Sequence, residues 1–207
     1  MSHRRFIAAV AVTAAASLAL SACASAAPAG SAPDSRLGAV APGLPATDVV
    51  GQGTVLDEGS GARLCLGPVM ESYPPQCRGI PLEEWTWDGV EGSETSGDVT
   101  WGAYAVQGRY DGSSLTVTQP PMLLALYDPM AAPDPTGGQK GTGSDAELAR
   151  IQQTVHERLG DAALSSWTDE GWLWVDVIWD DGTLQDAADG EFGAGKVVLR
   201  SALREVG

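Results

Sequence analysis

Short β-rich apolar runs, punctuated by polar turn residues, mark the chain between residues 50 and 120. Gly53-Thr54-Val55-Leu56 runs into Glu58-Gly59-Ser60-Gly61, a turn composition, and emerges as Leu64-Cys65-Leu66. Farther on, VTWGAYAVQGRY (99–110) reaches Asp111-Gly112 and continues as Leu115-Thr116-Val117-Thr118. Asp-Gly between two β-rich runs supplies the left-handed residue that a tight hairpin needs, which makes it a strong short-range hairpin signal. Several short strands within about 70 residues predict a small barrel or sandwich.

The period changes after a Pro/Gly stretch at 129–144. In DAELARIQQTVHERL, Leu148, Ile151, Val155 and Leu159 fall on one helical stripe. Ser144 followed three residues later by Glu147 is a capping-box pattern, and Gly160 is a suitable stop. Residues 170–185 read as a strand, a turn at Asp181-Gly182 and a short partner strand. Lys196 to Leu203 reads as another strand, with Val197, Leu199 and Leu203 on one face. MLLALYD (122–128) is a further strand candidate. The expected fold is α+β and mainly β: a barrel-like unit over 50–121, then a helix packed on a small antiparallel sheet over 122–207. Units of this size are marginal alone, so a shared core is the alternative to two separate domains. The stretch QGRYDGSSLTV (107–117) is similar to the closing hairpin of small five-stranded OB-type barrels, and this implies that architecture for 50–121.

The N-terminus carries an address. MSHRR precedes FIAAVAVTAAASLAL, an apolar run over residues 6–20. That is too short to span a bilayer core of about 30 Å but suits the h-region of a secretory signal. Leu20-Ser21-Ala22-Cys23 resembles the bacterial lipobox, Leu-[Ser/Ala]-[Gly/Ala]-Cys, at every position. The resemblance implies a signal peptide over 1–22, a diacylglycerol on Cys23, and anchoring to the extracytoplasmic face of the cell membrane. The plainer alternative is a buried N-terminal helix in which Cys23 is incidental. Residues 23–49 are Ala/Pro/Gly/Ser-rich and read as a disordered tether with an average reach of about 25–30 Å. Arginine outnumbers lysine ten to two. With the lipobox, the whole chain resembles small envelope lipoproteins of high-GC Gram-positive bacteria.

Charge narrows the partners. The chain has 12 Lys and Arg against 27 Asp and Glu, and losing residues 1–22 with Arg4 and Arg5 carries the formal charge from −15 to about −17. Such a surface repels nucleic acid, so a nucleic-acid role is not expected. Solubility of an exported protein is the simpler reading of the same charge. With Cys23 assigned to lipid, Cys65 and Cys77 are the two thiols left in an oxidising compartment, and a disulfide is the expected outcome. Pro74 and Pro75 stiffen the enclosed loop, which would staple a small barrel and present Tyr73.

Catalytic chemistry has little to work with. His156 is the single histidine once His3 leaves with the signal, and it sits beside the apolar stripe of the predicted helix. Lys140 and Lys196 are the only lysines, and neither completes a Ser-x-x-Lys motif. Gly141 to Ala146 matches G-x-G-x-x-A without a strand feeding it, so linker and helix cap explain it better. DDGTLQDAADGE (180–191) has the length of an EF-hand loop, but Gln185 stands where that loop requires glycine. No metal and no cofactor are expected.

What remains is aromatic and acidic. In GWLWVDVIWD, Leu173, Val175, Val177 and Trp179 make one strand face, while Trp172, Trp174 and Asp176 make the other. The candidate binding residues are therefore Tyr73, Trp85, Trp87, Trp172, Trp174 and Asp176. The structural alternative is that Trp172 and Trp174 cover the junction between the units and that Asp176 pairs with Arg200. The expected function is a non-catalytic binding or adaptor module for a protein, peptide or wall glycan of the cell envelope. The alternative is a small hydrolase using two of Asp88, Glu91, Asp98 and Asp176, a chemistry that needs carboxyl groups about 5–9.5 Å apart.

Overall fold

The structure is a computed structural model that describes residues 35–128 and 134–206, which form one compact unit. The signal-like segment, the lipobox and Cys23 lie outside those residues. Among the described residues no helix is long and apolar enough to cross a membrane.

Five strands close a barrel: β1 (Val49–Asp57), β2 (Ala62–Cys65), β3 (Ile80–Glu83), β5 (Val99–Tyr110) and β6 (Leu115–Val117), with the short β4 (Glu94–Ser96) and β7 (Met122–Leu123) added along β5. The order around the barrel is β1-β2-β3-β6-β5, and β1 closes it by pairing with β5 from Val49↔Gly108 to Asp57↔Thr100. β3 and β6 run parallel through Leu82↔Leu115, whereas the other barrel pairs are antiparallel. This is the strand order of an OB-type barrel, as the 107–117 hairpin implies. Side chains of these strands point alternately inward and outward, but consecutive residues of β1 and β5 are buried because part of the outer wall is covered as well. Val49, Val55, Leu64, Tyr104, Val106 and Leu115 are buried inside. Gly53 admits the close approach of β2, because a Cβ there would stand 2.0 Å from the Cys65 carbonyl oxygen. On the outside, Cys65 and Cys77 are disulfide-bonded with their Cα atoms 5.9 Å apart, and they pack with Leu56 and Trp101.

The second layer is α1 (Asp145–Leu159), α2 (Thr183–Phe192) and a three-stranded sheet of β8 (Ala163–Asp169), β9 (Trp172–Val177) and β10 (Val197–Ser201). Leu148, Ile151 and Val155 of α1 share a core with Leu173, Val175 and Val177, as their period predicts. Ser144 is the residue before the helix, but its side chain makes no cap bond. Its carbonyl accepts from the Glu147 and Leu148 amides, and the Glu147 carboxylate is held by Lys196 Nζ at 2.7 Å.

Three sequence expectations are corrected in this layer. The small sheet is mixed, not antiparallel: β8 and β9 form a hairpin, but β10 runs parallel to β9. The Asp181-Gly182 turn does not lead to a strand. Asp180 accepts from the amides of Leu184 (2.8 Å) and Gln185 (3.2 Å), and Asp181 accepts from Thr183 (3.1 Å), so these acids satisfy the free donors of a helix start. Leu184, Ala187 and Ala188 supply the buried stripe, and the resulting crossover brings β10 back parallel. Trp179, expected beside Leu173 and Val175, packs on the barrel core instead, and its indole donates to the Gly43 carbonyl at 2.8 Å.

A further correction concerns the tether. Residues 35–48 lie on the folded unit, with Leu37 only 1% exposed in the core beneath α1 and α2. Three carboxylates hold the backbone of this strap: Glu191 takes the Leu37 amide, Asp181 the Gly43 amide, and Glu205 the amides of Ala46 and Thr47. Glu191 also pairs with Arg158. A segment poor in side chains is thus bound through its peptide groups. At the other end of the chain Leu203 enters the barrel core, and β11 (Arg204–Glu205) pairs with β1.

Candidate functional site

The chain leaves β3 through Glu84, whose φ of 58° is a left-handed conformation that glycine favours and glutamate rarely adopts. The turn places Trp85 and Trp87 against the barrel core. The two indoles meet edge to face with centroids 5.2 Å apart, and the Tyr104 ring lies 5.7 Å from Trp85 and 6.2 Å from Trp87. Trp87 Nε1 donates to Asp57 Oδ2 at 3.2 Å. Tyr104 Oη donates to the Glu91 carbonyl at 2.9 Å, which ties the loop after β3 to the barrel interior. Burial pushes the Tyr104 phenol up, against the pull of a hydrogen bond with Ser93. Gly102 makes room for that ring, since a Cβ there would sit 2.5 Å from Tyr104 Oη.

Between this loop and the segment after β6 lies an open groove of about 710 Å³. Trp85, Tyr104, Val90 and Val117 line one part of it, and Pro120, Pro121, Met122, Leu123 and Leu126 another. Met122 (49% exposed) and Leu126 (75%) stand out to solvent at its rim. The charged residues of the lining are Glu84, Asp88 and Glu91, all of them acids. Trp85 Nε1 is buried without a hydrogen-bond partner, an uncommon condition for an indole.

The six residues singled out from sequence therefore fall in three places. Trp85 lines the groove and Trp87 supports it. Tyr73 projects from the disulfide loop, 72% exposed, with its ring edge-on to Trp101 at 5.2 Å. Trp172, Trp174 and Asp176 share the outer face of the second sheet, where Trp174 stacks on Trp167 with centroids 6.1 Å apart. The Arg200 guanidinium lies 4.7 Å from the Trp167 ring and 5.6 Å from Trp174. It also donates to Asp176 Oδ1 at 2.9 and 2.7 Å, and Ser165 donates to Oδ2 at 2.7 Å. Trp172 Nε1 donates to the Gln139 carbonyl. That face satisfies its own polar groups. Of the proposed catalytic acids, Asp88 and Glu91 line the groove, Asp98 does not, and Asp176 is occupied by Arg200 and Ser165. His156 Nε2 meets Ser166 Oγ at 2.7 Å, and Gln152 donates to the same oxygen, a clip between α1 and β8. Among the described residues no cluster of His, Cys, Asp and Glu is arranged to hold a metal ion.

Sequence reasoning missed Tyr104, Leu123 and Leu126. The alternation of β5 marks Tyr104 as inward, but nothing local brings it to Trp85.

Outside the groove, several acids are held low by donors. The amides of Ser114 and Ser113 bring Asp111 down to about 2, the Thr136 hydroxyl and amide lower Asp134, and Lys196 lowers Glu147. The Thr183 hydroxyl and amide, then the Gly43 amide, lower Asp181. Because each folded-state value lies below the unfolded one, the stability these groups contribute is fully present above the unfolded values of 3.8 for Asp and 4.5 for Glu, and is lost as pH falls through the folded values. Urea midpoints measured from pH 6 to pH 2 should be flat above about pH 4.5 and then fall, with the Asp111 part persisting longest.

Comparison with family models, with curated proteins and with solved structures gave no match for this chain.

Proposed function

We propose that this protein is a lipid-anchored, extracytoplasmic binding module, non-catalytic, that engages a partner of the cell envelope through the Trp85 groove. The observation that carries this reading is an open groove with an aromatic floor, an apolar rim and three exposed carboxylates, built on a closed barrel. Rigid walls of this kind position a ligand at low conformational cost. Support for the anchor comes from the lipobox-like Leu20-Ser21-Ala22-Cys23 and the apolar run before it. The outer face of the second sheet is the weaker candidate, because Asp176, Arg200 and Trp174 already satisfy one another.

A photoreactive residue introduced at Leu126 in producing cells tests this. The expected result is a discrete envelope adduct from Leu126 and none from the same residue placed at Trp167. Equal capture from both positions, or capture from Trp167 alone, contradicts the groove assignment. Cys23→Ser is expected to release the protein from the membrane fraction into the medium; retention on the membrane contradicts the anchor.

A further inference from the structure

We infer that the Trp85 groove takes an extended peptide segment of a protein partner, one that carries lysine or arginine flanked by apolar side chains. The inference rests on the reading of this groove as the binding site and goes on to name its ligand.

Charge decides the first half. Glu84, Asp88 and Glu91 are the charged groups of the lining, and the whole chain carries −15. No cation of the lining balances them, so an anionic ligand meets repulsion and a cationic one attraction at short and long range. An indole face beside carboxylates is moreover a favourable place for an ammonium or guanidinium group. The apolar rim decides the second half. Met122, Leu126, Pro120 and Pro121 present hydrocarbon and no hydrogen-bonding side chain, which suits aliphatic side chains, while Thr86, Thr118 and Gln119 of the same lining can bond the peptide groups between them. Size agrees, since an open groove of about 710 Å³ has room for a ligand larger than a lone small amine. A cation joined to apolar groups along an extended backbone meets all three conditions.

The test uses the complete exported chain with Cys23→Ser, labelled with ¹⁵N, so that the Trp85 indole N–H reports the site; Trp85→Phe identifies its signal. The probe is a capped Leu-Lys-Pro-Leu-Lys-Pro peptide. Saturable binding should shift the Trp85 signal and weaken several-fold when salt is raised from about 50 to 500 mM. The same peptide with glutamate for lysine should bind at least tenfold more weakly. Exposed Glu84→Gln with Glu91→Gln should weaken the lysine peptide about tenfold without shifting the melting temperature. Equal affinity for lysine and glutamate peptides, or no effect of the double variant, overturns the cationic assignment while leaving the groove standing. A preference for glucosamine oligomers over the peptide overturns the peptide assignment. Absence of any shift at Trp85 overturns the inference, and if Leu126 also captures nothing in cells, the groove reading falls with it.

Discussion

Replacing Leu37 by alanine lowers the unfolding free energy by about 2–5 kcal/mol, the cost of removing a fully buried leucine whose surroundings cannot collapse into the space. By composition Leu37 belongs to a disordered tether, where the same change would be silent. In the fold it is 1% exposed and packs among Leu148, Val155, Leu184 and Ala188, residues from both helices. Its amide is also held by Glu191, which Arg158 holds in turn. Loss of the side chain therefore opens a cavity between α1 and α2 and loosens the strap that joins the proposed anchor to the barrel. Urea unfolding followed by circular dichroism checks this. An unmoved midpoint would mean that residues 35–48 do not dock.

Cys65→Ser combined with Cys77→Ser should cost on the order of 3 kcal/mol, because the bond closes a short loop and restricts the unfolded chain. The effect should also be local. The loop carries Tyr73 against Trp101, which packs with Leu56 on the outer wall of the barrel. Without the bond that cover is freer to lift, and Trp101 becomes more accessible to a quencher such as acrylamide. The groove lies on other segments, so ligand binding should survive wherever the double variant remains folded. An unchanged urea midpoint in the variant, or under dithiothreitol, would show that the bond contributes nothing to stability.

The barrel is legible in the sequence because its signals are local. The β-rich run over 99–110 and the Asp111-Gly112 turn define the β5–β6 hairpin, and Leu148, Ile151 and Val155 define the inner stripe of α1. Where one local pattern serves two structures, the sequence misleads. Asp180 and Asp181 have the composition of a hairpin turn, yet their carboxylates cap a helix. Leu37 is one apolar residue in a Pro/Ala/Gly run, so composition hides it. The groove was half legible. Trp85 and the acids beside it stand out as residue types, but Tyr104 and Leu126 join them only when β5 closes the barrel and the segment after β6 folds back along it through Tyr104↔Leu123. The pairing of Asp176 with Arg200 was visible as a cross-strand possibility, and the structure shows it.

Seven tryptophans give seven indole N–H signals, and they divide the surface into faces that one spectrum can compare. Recording them for the ¹⁵N-labelled chain with Cys23→Ser, before and after adding solubilised envelope from producing cells, tests the binding face most directly. The signals of Trp85 and Trp87 should move or broaden, while those of Trp167, Trp172 and Trp174 stay in place. Movement confined to Trp167, Trp172 and Trp174, or no movement at all, would contradict a ligand site in the Trp85 groove.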